Sequence, residues 1–147
     1  RVCRCTPPQV ERYMAKVSCP LLDRIDIHIE VPAVKYEALS SASEGITSQS
    51  MRELVERARS VQRERFDGLA TRFNAQMTSR QTRDFCRLDK EGRERVRRSL
   101  EQLGLSARAY DKILRLARTI ADVEEQPEVL PEHVSEAINY RTLDRQG

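Results

Sequence analysis

One arginine is flanked by acidic residues immediately before a predicted strand. Arg24 stands between Asp23 and Asp26, in the run Ser-Cys-Pro-Leu-Leu-Asp-Arg-Ile-Asp that covers residues 18–26. A guanidinium is planar, stays protonated and offers several hydrogen-bond donors. In a loop beside aspartates, such an arginine usually forms a local ion pair, which contributes little at a protein surface.

A second arginine, Arg108, lies two residues after Ser106, a residue type that caps helix N-termini. A cation in the first turn opposes the helix dipole, at a cost of about 0.3–1 kcal/mol. The position is favourable if an anion reaches the same helix end, where backbone N–H groups are free. The alternative is a solvated arginine balanced by Asp111 at i+3. Arg115 and Arg118 follow, and we expect them to be solvated.

Independent catalysis by this chain is not expected. None of the five glycines begins a phosphate-binding loop, and none is followed by Lys. The two histidines, His28 and His133, are far apart and are expected to be structural or exposed. Cys3 and Cys5 form a Cys-x-Cys pair, but two thiolates do not complete a tetrahedral zinc site, so no bound metal is expected.

Composition predicts a helical protein with no strong preference for a partner. The 147 residues are 39% hydrophobic and 33% charged, with only 5% aromatic residues, so the core must be aliphatic. Twenty-six basic residues nearly balance 23 acidic ones, and charge alone therefore does not predict nucleic-acid binding. No apolar run approaches the roughly 18 residues of a membrane span. Four unevenly spaced cysteines favour a reducing cytoplasm.

One strand is predicted near the N-terminus. Residues 25–31 alternate strictly between apolar and polar types, and Pro32 ends the run. A lone strand leaves the backbone N–H and C=O groups along its edges without partners. It therefore needs a sheet that the rest of this chain does not obviously provide. The strand therefore indicates a missing neighbour.

The remaining segments predict helices. Short helices are expected over residues 8–16 and from 79 or 80 to 88. Residues 34–49 are interpreted as a linker, after which Ser50 and Glu53 form a capping box. Longer helices should cover about 90–103, stopped by Gly104, and a segment capped by Ser106. A last helix begins at Pro131. The inward-facing residues are expected to be Met51, Leu54, Val55, Ala58, Val61, Cys86, Val96, Leu100, Leu103, Tyr110, Ile113, Leu114, Ala117, Ile120, Ala121, Val134, Ala137 and Ile138.

Several longer motifs resemble the Mg-chelatase-related (YifB/ComM) family of AAA+ ATPases. They are Cys3-Arg-Cys-Thr-Pro7, the Gln9-Val10-x-x-Tyr13 step, Pro20-Leu-Leu-Asp-Arg-Ile-Asp26, Asn74-Ala-Gln-Met77, Leu105-Ser-Ala-Arg-Ala-Tyr-Asp111 and Leu116-Ala-Arg-Thr-Ile-Ala-Asp122. The resemblance covers essentially the whole chain. Cys19 departs from it, because family members usually carry Gly there.

The resemblance implies a mainly α fold: a helical-bundle AAA+ lid domain preceded by an extended segment with one β-strand from the AAA+ core. Residues 1–33 would be the end of that core, 34–49 a linker and 50–147 the lid. Arg24 would be an arginine finger acting in trans on the neighbouring subunit's ATP, held by Asp23 and Asp26 when no nucleotide is present. Arg108 would be a sensor-2 arginine contacting the γ-phosphate.

The resemblance also implies a larger parent protein. That protein would bind ATP with Mg²⁺, assemble as a ring of subunits, a hexamer, and remodel DNA, as in branch migration during uptake of foreign DNA. Cys3 and Cys5 would be half of a metal site whose other half lies upstream. This chain alone would be inactive and hold no cofactor. The alternative is a free-standing helical module that binds protein or nucleic acid.

Overall fold

The computed structural model describes residues 4–34 and 45–141, and within them the secondary structure is helical. Two short helices come first, α1 and α2. Five further helices, α3 to α7, lie within residues 45–141, with a 3₁₀ turn between α3 and α4. The bounds are α1 Pro7–Met14, α2 Cys19–Leu22, α3 Ser48–Arg65, the 3₁₀ turn Asn74–Gln76, α4 Ser79–Phe85, α5 Lys90–Leu103, α6 Ala107–Val123 and α7 Pro131–Asn139.

Most helix starts follow from local capping. Asp89 accepts a hydrogen bond from Gly92 N at 2.7 Å at the start of α5, and Ser106 accepts from Ala109 N at 3.1 Å at the start of α6. Gly104 ends α5 in the left-handed region at φ 60°, as predicted. The predicted bounds of α5 are confirmed.

The predicted capping box at Ser50 is wrong. Helix α3 begins at Ser48, and its cap is Thr47, whose Oγ1 accepts from Ser50 N at 3.1 Å. Thr47 offers the same cap one turn earlier, and each residue added to an existing helix gains a backbone hydrogen bond. Two other bounds differ at their ends, since α4 stops at Phe85 rather than residue 88, and α1 stops at Met14 rather than residue 16.

Helix α6 is the centre of the fold. Helices α3, α4 and α7 and the 3₁₀ turn all pack on it, and α7 packs in turn on α5. One core cluster joins Val96 of α5, Ile113 and Ala117 of α6, and Val134 and Ile138 of α7. Each of these side chains is buried, as the helical periodicity predicts.

A second core cluster also includes a residue of α6, and Leu88 packs against both clusters. It joins Phe66, Met77, Cys86 and Leu114, and Phe66 meets the Phe85 ring edge-on at 5.6 Å. Cys86 is buried in this cluster and is therefore a core residue, as predicted, and this burial raises the pKa of its thiol to about 12.

The inward face predicted for two helices is too wide. Tyr110 at the start of α6 is exposed, and so are Met51 and Val55 in the first half of α3. Helical spacing fixes which residues share a face, but it does not fix how far along the helix neighbouring elements cover that face. Ala58, further along α3, is buried as expected.

The predicted strand over residues 25–31 is not formed. These residues have no regular secondary structure; Ile25 N bonds to Leu22 O at 3.0 Å and His28 N to Tyr140 O at 2.7 Å, and neither bond pairs two strands. The burial pattern is also reversed: His28 is 5% exposed, whereas Ile29 and Val31 are 69% and 81% exposed. A strand needs a neighbouring strand along its edge, and the described part of the chain contributes only the isolated bridge between Leu88 and Val129.

A buried ionic network fixes the C-terminal half of α6, and it corrects the expectation that Arg118 is solvated. Arg118 is 2% exposed, with its Nε donating to Asp122 Oδ1 at 3.0 Å and its Nη1 to Pro127 O at 2.8 Å. Asp122, fully buried, also accepts from Arg65 Nη1 and Asn74 Nδ2, both at 2.7 Å. The network therefore ties α6 to the end of α3 and to the 3₁₀ turn.

Candidate functional site

The loop that carries Arg24 is held on the first turn of helix α6. Asp23 Oδ1 accepts a hydrogen bond from Ser106 Oγ at 2.8 Å, and Asp23 Oδ2 accepts from Arg108 Nη1 at 2.7 Å. Ser106 thus serves twice, because its oxygen also caps the helix. Asp23 supplies an anion at this helix N-terminus, where the helix dipole favours negative charge. Its carboxylate offsets the unfavourable position of the Arg108 cation.

A lysine one turn further along α6 completes this attachment. Lys112 Nζ donates to the backbone oxygen of Arg24 and lies 2.7 Å from Asp26 Oδ1. The Lys112 side chain is only 14% exposed, so its charge is directed at the loop rather than at solvent. We call this set of contacts, made by Asp23, Arg24 O and Asp26 with Ser106, Arg108 and Lys112, the loop clamp.

The guanidinium of Arg24 stays outside the loop clamp. Among the described residues, its Nη1 donates to Pro20 O at 2.9 Å, and Arg24 is exposed. The expectation that Asp23 and Asp26 hold Arg24 is therefore wrong, since both carboxylates bond to helix α6 instead. Likewise Arg108 is balanced by Asp23 and not by Asp111, which pairs with Arg115 at 3.9 Å.

Further contacts attach the next residues to the C-terminal end of the described chain. His28 N bonds to Tyr140 O, and Arg141 Nη1 donates to Ile25 O. Arg141 is fully buried. The segment 23–28 is therefore fixed at two places, on the start of α6 and just beyond α7.

The histidine and cysteine predictions can be compared in part with the structure. His133 is buried and structural: its Nδ1 accepts from Leu130 N at 3.0 Å, and its Nε2 lies 3.0 Å from Glu124 Oε2. Cys5 is exposed, while Cys3 lies outside the described residues. Residues 4–34 and 45–141 contain no cluster of three or more side chains suited to a metal ion.

Sequence reasoning missed Lys112 and the role of Asp23 toward helix α6. Lys112 gives no local signal, because a lysine on a helix is usually solvated. The contact of Asp23 with α6 had one indirect sign in the sequence, because the unfavourable position of Arg108 predicts a nearby anion. The source of that anion, 85 positions earlier in the chain, could not be read from spacing.

Acidification is expected to release the loop clamp. Hydrogen bonds from Arg108 and then from Ser106 hold the pKa of Asp23 below its ordinary value of 3.8. A carboxyl group with a depressed folded pKa contributes stability above its unfolded pKa and loses it as the pH falls through the folded value. Protection of residues 19–27 from hydrogen exchange should therefore persist at neutral pH and fall below about pH 4. Asp23→Asn should show low protection already at neutral pH; equal protection in both proteins would contradict the clamp.

Sequence comparison identifies the family to which this helical bundle and its arginine-bearing loop belong. Residues 45–141 match the family described as magnesium chelatase, subunit ChlI C-terminal. Residues 1–39 match the family described as magnesium chelatase, subunit ChlI. The chain therefore belongs to the Mg-chelatase-related family, and the resemblance stated from its motifs is confirmed.

Individual relatives agree with this assignment. Competence protein ComM of Haemophilus influenzae is 37% identical over 143 residues, which is 97% of this chain and 27% of that protein. YifB of Escherichia coli is also 37% identical over 143 residues, 28% of its own length. A Mycobacterium tuberculosis relative is 30% identical over 139 residues. The chain thus spans about a quarter of the length of the curated relatives it matches.

Among the described helices, none is both long and apolar enough to cross a membrane.

Proposed function

We propose that this chain supplies the finger loop and the lid of an AAA+ ATPase that works as a ring of subunits, a hexamer. Residues 1–33 would form the end of the ATPase core, 34–49 the linker and 50–147 the lid. The phosphate-binding loop and the Mg²⁺ ligands would come from other parts of the whole protein. Mg²⁺ would there neutralise charge on the nucleotide phosphates, and this chain would contribute cations to the same phosphates.

The observation that carries this proposal is the state of the Arg24 guanidinium. It is exposed and has no carboxylate partner in the described part of the chain, although aspartates stand on either side of it. The loop clamp occupies both aspartates, which fixes the backbone of Arg24 and leaves the head group available. This arrangement fits a finger that reaches an external phosphate better than a local ion pair.

Arg108 fits a sensor of nucleotide state. Its side chain is 59% exposed, and its Nη1 donates to Asp23, whereas Nε and Nη2 form no hydrogen bond within the described residues. Because Asp23 adjoins Arg24, a phosphate that drew Arg108 away would also loosen the finger loop. We infer that the loop clamp couples the two arginines and transmits nucleotide binding between them as a lid motion.

The output we propose is DNA remodelling, such as branch migration during uptake of foreign DNA. The support is family membership together with the relative named a competence protein. The alternative, a free-standing interaction module, predicts no ATP turnover in the whole protein.

The test compares Arg108→Ala with Asp23→Ala in the full-length protein, measured as Mg²⁺-dependent ATP turnover. If Arg108 contacts the γ-phosphate, Arg108→Ala should lower kcat by about 10²-fold, the scale for removing one donor from a developing charge. Asp23→Ala removes the Ser106 and Arg108 contacts of the loop clamp but keeps the Arg108 guanidinium and the Lys112 contacts that hold Arg24, so its loss should be much smaller.

Arg98→Ala is the matched control, because Arg98 is an exposed arginine that pairs with Glu94 on α5. Its turnover should equal that of the wild type. Equal losses in Arg108→Ala and Asp23→Ala would mean that Arg108 only positions the loop, and a wild-type protein without ATP turnover would overturn the ATPase proposal itself.

A further inference from the structure

A groove lies at the C-terminal end of α3, away from the loop clamp. It has a volume of about 520 Å³, and the residues that carry the argument are Arg59, Arg63, Asp67, Leu69, Arg72 and Phe73. Gly68, at φ 71°, reverses the chain after α3 so that residues 69–73 return beside the helix. The groove is therefore formed by one helix end and the segment that follows it.

The arginines of this groove are not neutralised within the described part of the chain. Arg59, Arg63 and Arg72 form no ion pair there, and Asp67 is the one acid that lines the groove. Arginines on α5 behave differently, since Arg95, Arg97 and Arg98 pair with glutamates on the same helix. Arg59 and Arg63 lie one helical turn apart, so their charges share a face. The groove therefore carries a local positive excess that the balanced overall composition conceals.

An aromatic surface accompanies these charges. Phe73 is 43% exposed, and Leu69 is 46% exposed. The guanidinium of Arg59 lies over the Phe73 ring, with 5.6 Å between Cζ and the ring centroid. Guanidinium and aromatic planes are both surfaces on which nucleic-acid bases stack.

We propose that this groove binds single-stranded nucleic acid. Arg63 and Arg72 would contact backbone phosphates, because a guanidinium fork matches phosphate oxygens. The Arg59–Phe73 pair would receive a base. Charge favours an anionic ligand, and the exposed ring beside the charges favours a base-bearing strand over an acidic peptide, which would offer the ring no flat partner.

The groove is separate from the candidate ATP contacts. Arg65 at the end of α3 bonds to Asp122, whereas Arg108 is 14 residues earlier on α6, roughly 21 Å along the helix axis. The inference rests on the proposed function in one respect, namely that the whole protein acts on DNA. ATP turnover without DNA should therefore be unchanged by groove substitutions.

The experiment measures fluorescence anisotropy of a labelled oligothymidylate titrated with the 147-residue chain over a series of salt concentrations. Arg63→Gln/Arg72→Gln should weaken binding and make the log–log salt slope shallower by about 0.7 for each arginine lost. Phe73→Leu keeps an apolar side chain but removes the ring, and should weaken binding by about 5-fold or more, with the salt slope unchanged.

The control is Arg97→Gln/Arg98→Gln on α5, which removes the same charge and should bind like the wild type. Equal weakening in the two double variants would reduce the effect to net charge and overturn the proposal, as would a wild type that does not bind. Binding of poly-glutamate but not of the oligonucleotide would assign the groove to an acidic protein instead. Circular dichroism checks the fold, and if Phe73→Leu fails to fold, the paired arginine variants still decide the outcome.

Discussion

Arg24→Ala in the full-length protein is expected to slow ATP turnover by roughly 10³- to 10⁵-fold, the range found for arginine fingers in other NTPases. The physical reason is that a guanidinium neutralises charge that develops on the transferred phosphoryl group, where water would have to reorganise. In the structure that guanidinium is exposed and has no carboxylate partner in the described residues, and the loop clamp fixes the backbone that carries it. Arg24→Lys keeps the charge but not the planar fork, and should recover only part of the rate.

Mixing subunits separates a finger from a structural arginine. A finger acts on the neighbouring subunit, so Arg24→Ala subunits mixed with subunits that lack their own phosphate-binding lysine should regain part of the turnover. In such rings, an intact ATP site can face an intact Arg24. Arg12→Ala, at an exposed position on α1, is the control and should leave turnover unchanged. Absence of recovery, with ring assembly intact, would show that Arg24 does not act in trans.

Asp122→Ala is expected to destabilise the chain by about 3–5 kcal/mol, the scale for leaving a buried charge without its partner. Asp122 is fully buried and accepts from Arg118, Arg65 and Asn74. Arg118, at 2% exposure, cannot turn to solvent when the carboxylate is removed. Burial lowers the pKa of Arg118, and the Asp122 carboxylate opposes that shift. Equilibrium unfolding in urea, followed by circular dichroism, measures the change.

Two further variants test the cause of this loss. Asp111→Ala removes a carboxylate from the same helix whose pair with Arg115 is 3.9 Å long and partly exposed, so its effect should stay below about 1 kcal/mol. Asp122→Ala combined with Arg118→Met removes both buried charges and should cost less than the sum of the single changes. Additive losses would mean that the two residues do not stabilise the fold as a pair.

The helices and their caps could be predicted because the interactions that form them are local. Asp89 and Ser106 bond to amides three residues ahead, and Gly104 adopts the one backbone region that ends α5 there. The inward faces of α6 and α7 follow from helical periodicity, apart from the exposed Tyr110. The prediction failed at Thr47, where two local caps competed and the earlier one gave the longer helix.

The strand illustrates a limit of periodicity. Alternation over residues 25–31 is a real feature of the sequence, but the segment finds no strand partner in the described chain, so its apolar side chains stay exposed. The local pattern gives a preference for the extended conformation. A β-strand forms only when a second strand hydrogen-bonds along its edge.

The helical class, the family and the two candidate arginines, Arg24 and Arg108, could be inferred from the order of amino acids alone. Which acids neutralise which bases depends on the folded arrangement of the helices. Asp23 bonds to Arg108 across 85 positions although Arg24 adjoins it, and Asp122 bonds to Arg65 across 57 positions in addition to Arg118, four residues away. Spacing along one helix predicts contacts at i+3 and i+4, whereas contacts between helices depend on how the core brings them together. For that reason the lack of a carboxylate partner for Arg24 among the described residues, on which the proposed function rests, could be seen only in the folded chain.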